Sequence, residues 1–193
     1  MKLSVLAVAV LLMAGCRSAT PETPAPHIME PHEGDRLWMF PESKEHLGSG
    51  GELQVFVDSE THPHATASFA KFTLGVGGAL PVHRHDRTEE FAYFLSGEGV
   101  AVFLDETGVE SEVSVATGYV WYNPPGQWHS VRNTGSTPLS LVFATVPNEK
   151  QGLMSFFRRI GSTPGNEGTP ISFEELQRIG AEHDMILRGP DDE

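Results

Sequence analysis

Two spaced motifs within residues 77–133 constrain this chain more than any other feature: Gly77-x5-His83-x-His85-x4-Glu90-x6-Gly97 and Gly118-x5-Pro124-x-Gly126-x2-His129-x3-Asn133. Side chains alternate between the faces of an extended strand, so His83 and His85 point the same way and can share one ion. Glu90 lies an odd number of residues beyond His85, and an uninterrupted strand would turn it away; a bend through Asp86, Arg87 and Thr88 resets the parity. His129 arrives from a later strand. The rigid turn Asn123-Pro124-Pro125-Gly126 opens it, and His129, Val131 and Asn133 then share a face. Gly97 and Gly99 flank Glu98 in a tight turn between strands and are backbone requirements, not ligands.

A lone His-x-His is weak evidence for a metal site. His62-Pro63-His64 has the same spacing without the frame, and because Pro63 cannot donate to a ladder the pair reads as loop or edge. His27, His32, His46 and His183 stand alone in polar or linker sequence. The double motif differs because independent spacing constraints agree across it.

Its spacings resemble the two signature motifs of the cupin superfamily, G-x5-HxH-x(3,4)-E-x6-G and G-x5-PxG-x2-H-x3-N, with every fixed position present. That resemblance implies a small β-barrel and assigns metal ligation to His83, His85, Glu90 and His129. Glu89 also fits the shorter spacing, but only Glu90 leaves six residues before Gly97. Three neutral imidazoles and a carboxylate leave a divalent ion residually positive and, in octahedral geometry, with two open positions for substrate or dioxygen. Such a donor set, free of thiolate, suits Fe, Mn, Ni, Co, Cu or Zn, and affinity order does not choose among them. A redox-active ion would bring oxygen and an electron-rich substrate together; zinc would polarise a ligand or activate water.

The expected partner is therefore a small-molecule ligand or substrate. The leading reading is a metal-dependent, dioxygenase-like oxidoreductase, and the alternative is a non-catalytic binding or sensing protein. Cupin folds host many functions, so the fold does not separate the two. A sugar-nucleotide epimerase-like cupin is disfavoured, because those enzymes do not rely on this quartet, and an ion that only stiffens the barrel is the plainest reading.

From about residue 52 the chain is a succession of short β-rich runs, at 53–57, 67–74, 91–95, 100–104, 110–115, 119–122, 129–132 and 139–146, punctuated by Gly, Pro, Asp and Asn. This density of strands predicts an all-β fold, and strands facing one interior make it a cupin-type jelly-roll β-barrel over residues 35–148. Parity on the Glu90 strand puts Ala92 and Phe94 on the metal side, with Phe94 as a pocket wall, and turns Phe91 and Tyr93 away. Most aromatics near the motifs, Trp121 among them, read as core, and Arg84 should point outward. Beyond Pro147, Leu153, Phe156, Phe157 and Ile160 fall at helical spacing over 149–161. Ser172-Phe173-Glu174-Glu175 is a capping box that opens a second helix to about residue 182. Residues 149–193 thus form a short helical extension expected to dock on the outside of the barrel. It is similar to the tail of bacterial single-domain, quercetin dioxygenase-like cupins.

At the other end, Lys2, the apolar run from Leu3 to Met13 and the small Ala14-Gly15 read as a secretory signal, too short to span a bilayer as a mature helix. Met13-Ala14-Gly15-Cys16 resembles a bacterial lipobox, with Met13 where Leu is commonest. Residues 1–15 are then a lipoprotein signal peptide, Cys16 the lipidated N-terminus, and the proline-rich 16–34 a tether. Arg17 in place of Asp implies an exported protein on the periplasmic face of the outer membrane in a Gram-negative cell. The competing reading is an ordinary signal peptide and an incidental thiol. Cys16 is the sole cysteine, so no intramolecular disulfide forms. A net charge of −13 with no basic patch excludes nucleic acid as a partner; a homodimer stays open.

Overall fold

The computed structural model describes residues 25–39, 51–166 and 169–189; the signal, Cys16, the tether up to residue 24 and His46 lie outside them. The strands are β1 (Asp35–Trp38), β2 (Glu52–Val57), β3 (Ser68–Leu74), β4 (His83–Arg84), β5 (Glu89–Ser96), β6 (Glu98–Leu104), β7 (Glu110–Ala116), β8 (Val120–Asn123), β9 (Trp128–Arg132) and β10 (Leu139–Val146). Two helices follow, α1 (Leu153–Ile160) and α2 (Phe173–Glu182), and then β11 (Ile186–Leu187). Pairing is antiparallel throughout, in a six-stranded sheet ordered β1-β2-β3-β10-β5-β8 and a five-stranded sheet ordered β11-β4-β9-β6-β7. The two sheets face each other as a jelly roll, the all-β fold that the strand density predicts.

Alternation builds the core. β3 turns Ala70, Phe72 and Leu74 inward, β10 turns Leu141 and Phe143, β5 turns Ala92 and Phe94, and the opposing sheet adds Ala101 and Val131. Every run expected from periodicity appears, with ends moved by a residue or two. The β5–β6 turn shows why its glycines are needed: Gly97 has φ +83, and a Cβ on Gly99 would lie 2.2 Å from the Arg132 carbonyl oxygen.

The C-terminal extension departs from expectation twice. α1 buries Leu153, Met154, Phe156, Phe157 and Ile160, but it does not rest only on the outside of the barrel. Leu153 and Phe157 line the interior cavity, so α1 supplies part of its wall. Nor is the extension helical to its end: after α2, whose Ser172 cap accepts from the Glu175 N–H, β11 returns and pairs with β4. Two residues are too few for periodicity to reveal a strand. Among the described residues, no helix is long and apolar enough to cross a membrane.

Candidate metal centre

His83 on β4 stands directly opposite His129 on β9 in the strand register, their ring centroids 4.2 Å apart. His85, just beyond β4, keeps the parity of His83 and lies 5.0 Å from that ring and 5.3 Å from His129. One nitrogen of each imidazole falls within 4.8 Å of the others, and all three rings are buried. Each ring is anchored by its Nδ1: His83 to the Pro81 carbonyl oxygen at 2.7 Å, His85 to that of Asp184 at 2.7 Å, and His129 to that of Gln127 at 2.9 Å. A carbonyl only accepts, so the Nδ1 atoms of His83 and His85 carry the proton and their Nε2 atoms keep a lone pair for the shared centre, while the Asn123 amide also approaches both ring nitrogens of His129, at 2.9 and 3.3 Å.

Glu90 joins them as the parity argument requires. Its Oε2 lies 3.4 Å from His129 Nε2 and 3.9 Å from His85 Nε2. Glu89 alternates to the other face of β5, opposite Val146. The bend that turns Glu90 inward has an anchor that sequence reading misses. The Asp184 carboxylate accepts from the backbone N–H groups of Asp86 and Arg87 and from the Thr88 hydroxyl, while its carbonyl holds His85. Asp184 has φ 59, a left-handed conformation that Asp tolerates better than most residues. It lies 98 positions from Asp86, and the only local signal is an acidic residue soon after a helix end.

Electrostatics suit the donors to a cation. Burial, with the neighbouring His129 and His85, pushes the His83 imidazole well below its ordinary value of 6.5, and burial also lowers His85 against the pull of Glu90. Burial pushes Glu90 upward, but the hydrogen bond and charge of His129, with His85, outweigh it and hold the carboxyl below its usual range. Neutral imidazole and ionised carboxylate are the forms that ligate. His85 Nε2 is, moreover, a buried acceptor with no hydrogen-bond partner, a costly arrangement that a metal ion would relieve. The four side chains therefore fit a divalent ion.

Beside them is a cavity of about 30 Å³, walled by His83, Glu90 and His129 and by apolar groups including Phe72, Ala92, Trp121, Phe143, Leu153 and Phe157. Phe94, expected as a pocket wall, is a correction: it shares the inward face but is wholly buried in the core, and its smaller neighbour Ala92 lines the space. Trp121, read as core, faces the cavity edge-on to His129 at 5.4 Å, and its indole N–H is buried without a partner. Arg84 points outward over the Trp128 ring, as expected. Asn133 serves the barrel: its amide donates to the carbonyls of Leu74, Gly75 and Thr137.

A two-sheet jelly roll with imidazoles clustered on neighbouring strands of one sheet is the cupin architecture. The cupin-domain profile matches residues 70–145. An oxalate-binding protein of Thermotoga maritima is 30% identical over 101 residues, 51% of this chain and 79% of that protein. The chain belongs to the cupin family. Germin-like protein 11-1 of Oryza sativa subsp. japonica is 31% identical over 87 residues, 45% of this chain and 39% of that protein. Among solved structures, a double-stranded β-helix protein of Klebsiella pneumoniae aligns at 18% identity and TM-score 0.43, covering 50% of this chain and 76% of that one. A Lactobacillus farciminis oxalate decarboxylase formate complex aligns at 24% identity and TM-score 0.47, covering 52% and 30%.

Proposed function

We propose that this protein is an exported, Cys16-anchored lipoprotein that binds one divalent metal ion through His83, His85, Glu90 and His129. With it the protein oxidises a small, largely apolar organic substrate in a dioxygenase-like reaction. The observation that supports this reading is the common aim of three buried Nε2 atoms and the Glu90 carboxylate, beside a cavity with apolar walls.

The cavity argues for the substrate class. None of its lining residues is Lys or Arg, so a dicarboxylate would have only the ion to offset its charge. Relatives named for oxalate thus mark a chemistry that these walls do not favour. A molecule with one oxygen donor and a hydrocarbon body suits the character of these walls better, and the indole N–H of Trp121 is a donor for a second oxygen. A bound ion would supply a Lewis-acidic and, if redox-active, electron-accepting centre. The chain's own residues orient the donors through the Nδ1 bonds, offset the charge with Glu90, and exclude water with Leu153 and Phe157.

Metal analysis of protein from its native compartment, followed by an oxygen-consumption screen, tests the reading. About one ion per chain and oxygen uptake with an apolar substrate are expected; uptake with oxalate alone would overturn the substrate class. The competing reading, a binding or sensing cupin, draws on the absence of any titratable lining group besides the donors themselves. Ligand-induced stabilisation without turnover would favour it. Intact-mass analysis tests the anchor, and a mature chain that begins elsewhere and lacks acyl mass would refute it.

A further inference from the structure

The inward row level with Glu90 is unlike the row beside it. Strand register crosses the inner face of the six-stranded sheet as Ser68, Thr145, Glu90, Asn123, and the adjoining row runs Ala70, Phe143, Ala92, Trp121. Ser68, Thr145 and Asn123 are 1, 2 and 1% exposed, at depths where polar side chains need partners. The Ser68 and Thr145 hydroxyls bond each other. Asn123 is only half provided for, because its Oδ1 is buried with no hydrogen-bond partner, and in the next row the Trp121 indole N–H is in the same condition. Both residues attend His129. The Asn123 Nδ2 lies 2.9 Å from the His129 Nδ1 and 3.3 Å from its Nε2, and such similar distances place it over the ring face, not in line with either nitrogen. An aromatic face is negative, so it takes the N–H end of the amide and leaves the oxygen turned away. Trp121 meets the same imidazole edge-on at 5.4 Å and lines the cavity. One unmet acceptor and one unmet donor thus flank His129 from the same face of β8, two positions apart.

We propose that this pair receives a neutral hydroxyl group of the ligand: its oxygen accepts from the Trp121 indole, and its proton is donated to the Asn123 Oδ1. The inference rests on the metal-binding reading of this cavity and narrows its substrate class to alcohols and phenols. A metal ion alone does not satisfy the two atoms, since an indole N–H only donates. A hydroxyl is the simplest group that both accepts and donates. A carboxylate only accepts, so it would serve Trp121 and set its own lone pairs against those of Asn123; a hydrocarbon would serve neither. The rest of such a ligand meets hydrocarbon, because Ala92 and Phe143 of the apolar row line the cavity, with Phe72 and Leu141 beyond them.

Calorimetric titration of the zinc-loaded full chain in neutral detergent is the test, because zinc fills the site without oxidising the ligand. Ethanol, 1-butanol and phenol are set against acetate, butyrate and benzoate, so that each hydroxyl ligand has a carboxylate of matching body. At least one hydroxyl ligand should bind the wild type. Asn123→Leu should weaken it about fivefold or more while leaving the carboxylates within about twofold, as expected for the loss of one hydrogen bond that only the hydroxyl makes. Trp121→Phe removes a donor that both kinds of ligand use and should weaken both series. Equal weakening of the two series by Asn123→Leu would reduce the amide to a support for His129 and overturn the proposal. Hydroxyl binding that Trp121→Phe leaves unchanged would overturn it by itself, even if Asn123→Leu did not fold. A wild type that holds zinc but binds no hydroxyl ligand would leave the pair to water and overturn it too. Zinc that fails to bind would instead overturn the metal centre, and this proposal with it.

Discussion

The two sheets enclose one core but finish their other surfaces by different physics. On the five-stranded sheet, Arg84 lies over Trp128 and bonds Asp86, Arg132 reaches Glu110 and Glu112, and the Asp184 carboxylate grips the loop after β4. The six-stranded sheet holds its inner face by hydrocarbon contact and leaves aromatics outside on β3, β5 and β8, its ion pair of Arg36 with Glu52 lying at the β1–β2 edge. The difference follows the location of the imidazoles, which come from β4, the residue just beyond it and β9, whereas Glu90 alone comes from the six-stranded sheet. Imidazoles need fixed direction, which hydrogen bonds and ion pairs supply; a cavity wall needs only volume and dryness, which close-fitting side chains supply.

Exchanging one buried residue on each sheet breaks the comparison most directly. Phe143→Ala on β10 should cost about 3–5 kcal/mol of stability, as expected for a large aromatic removed from a core, with little change in metal affinity per folded molecule. His129→Ala on β9 should do the reverse: at least about tenfold weaker metal binding, with a small effect on the melting of metal-free protein. Denaturant titration and metal titration of the two variants provide the check. Comparable effects of both substitutions on both readouts would erase the distinction between the sheets. Glu90→Gln should weaken metal binding where Glu89→Gln does not, since only Glu90 faces the imidazoles.

The convergence of the four candidate ligands was legible because strand parity is a local rule and the motif spacings encode it: His83, His85 and His129 come together, and the bend at residues 86–88 turns Glu90 toward them. Phe94 was misread for a related reason. Parity gives the face, but not the depth along the barrel axis, and the bulkier residue went to the core while Ala92 left room for the cavity. Asp184 and β11 were invisible because their partners lie about a hundred positions away and their own stretch carries no period. The outward aromatics of β5 were foreseen as outward but not as a surface, since only the register with β8 and β10 joins them.

Asp184→Asn comes next in size. Asn tolerates the left-handed backbone and keeps the carbonyl bond to His85, so the change isolates the carboxylate that accepts from the bend. Losing charge-assisted bonds of this kind should cost about 1.5–3 kcal/mol and weaken metal binding several-fold through Glu90. A variant with unchanged metal affinity would show that the bend holds itself. A pH effect belongs to the far end of α1, where Arg158 ties the helix to Asp58 and Asp35. Burial pushes Asp58 upward, but Arg158 and the Thr61 bonds outweigh it and hold its pKa below the ordinary 3.8. The unfolded chain therefore takes up this proton first. The stability from Asp58 should be whole above about pH 4 and drain away as pH falls through its depressed value, with a slope of up to about 1.4 kcal/mol per pH unit. Melting curves of wild type and Asp58→Asn should accordingly converge in acid; curves that stay parallel would sink the assignment.

The smallest expected effect tests the charged surface itself. Arg132 contacts both Glu110 and Glu112, but its side chain is 40% exposed and the two acids are 46 and 50% exposed. Water and salt screen such pairs, so a double-mutant cycle on Arg132 and Glu112 should give a coupling below about 1 kcal/mol, falling further as ionic strength rises. That small value fits the comparison, because these charges keep an exposed sheet face soluble, whereas the bonds that set ligand geometry are the buried ones at Asp184 and the histidine Nδ1 atoms. A coupling well above 2 kcal/mol that survives high salt would mean that β7 is fastened to β9 by charge, and the directional scaffold of the metal centre would then extend to the outer edge of the five-stranded sheet.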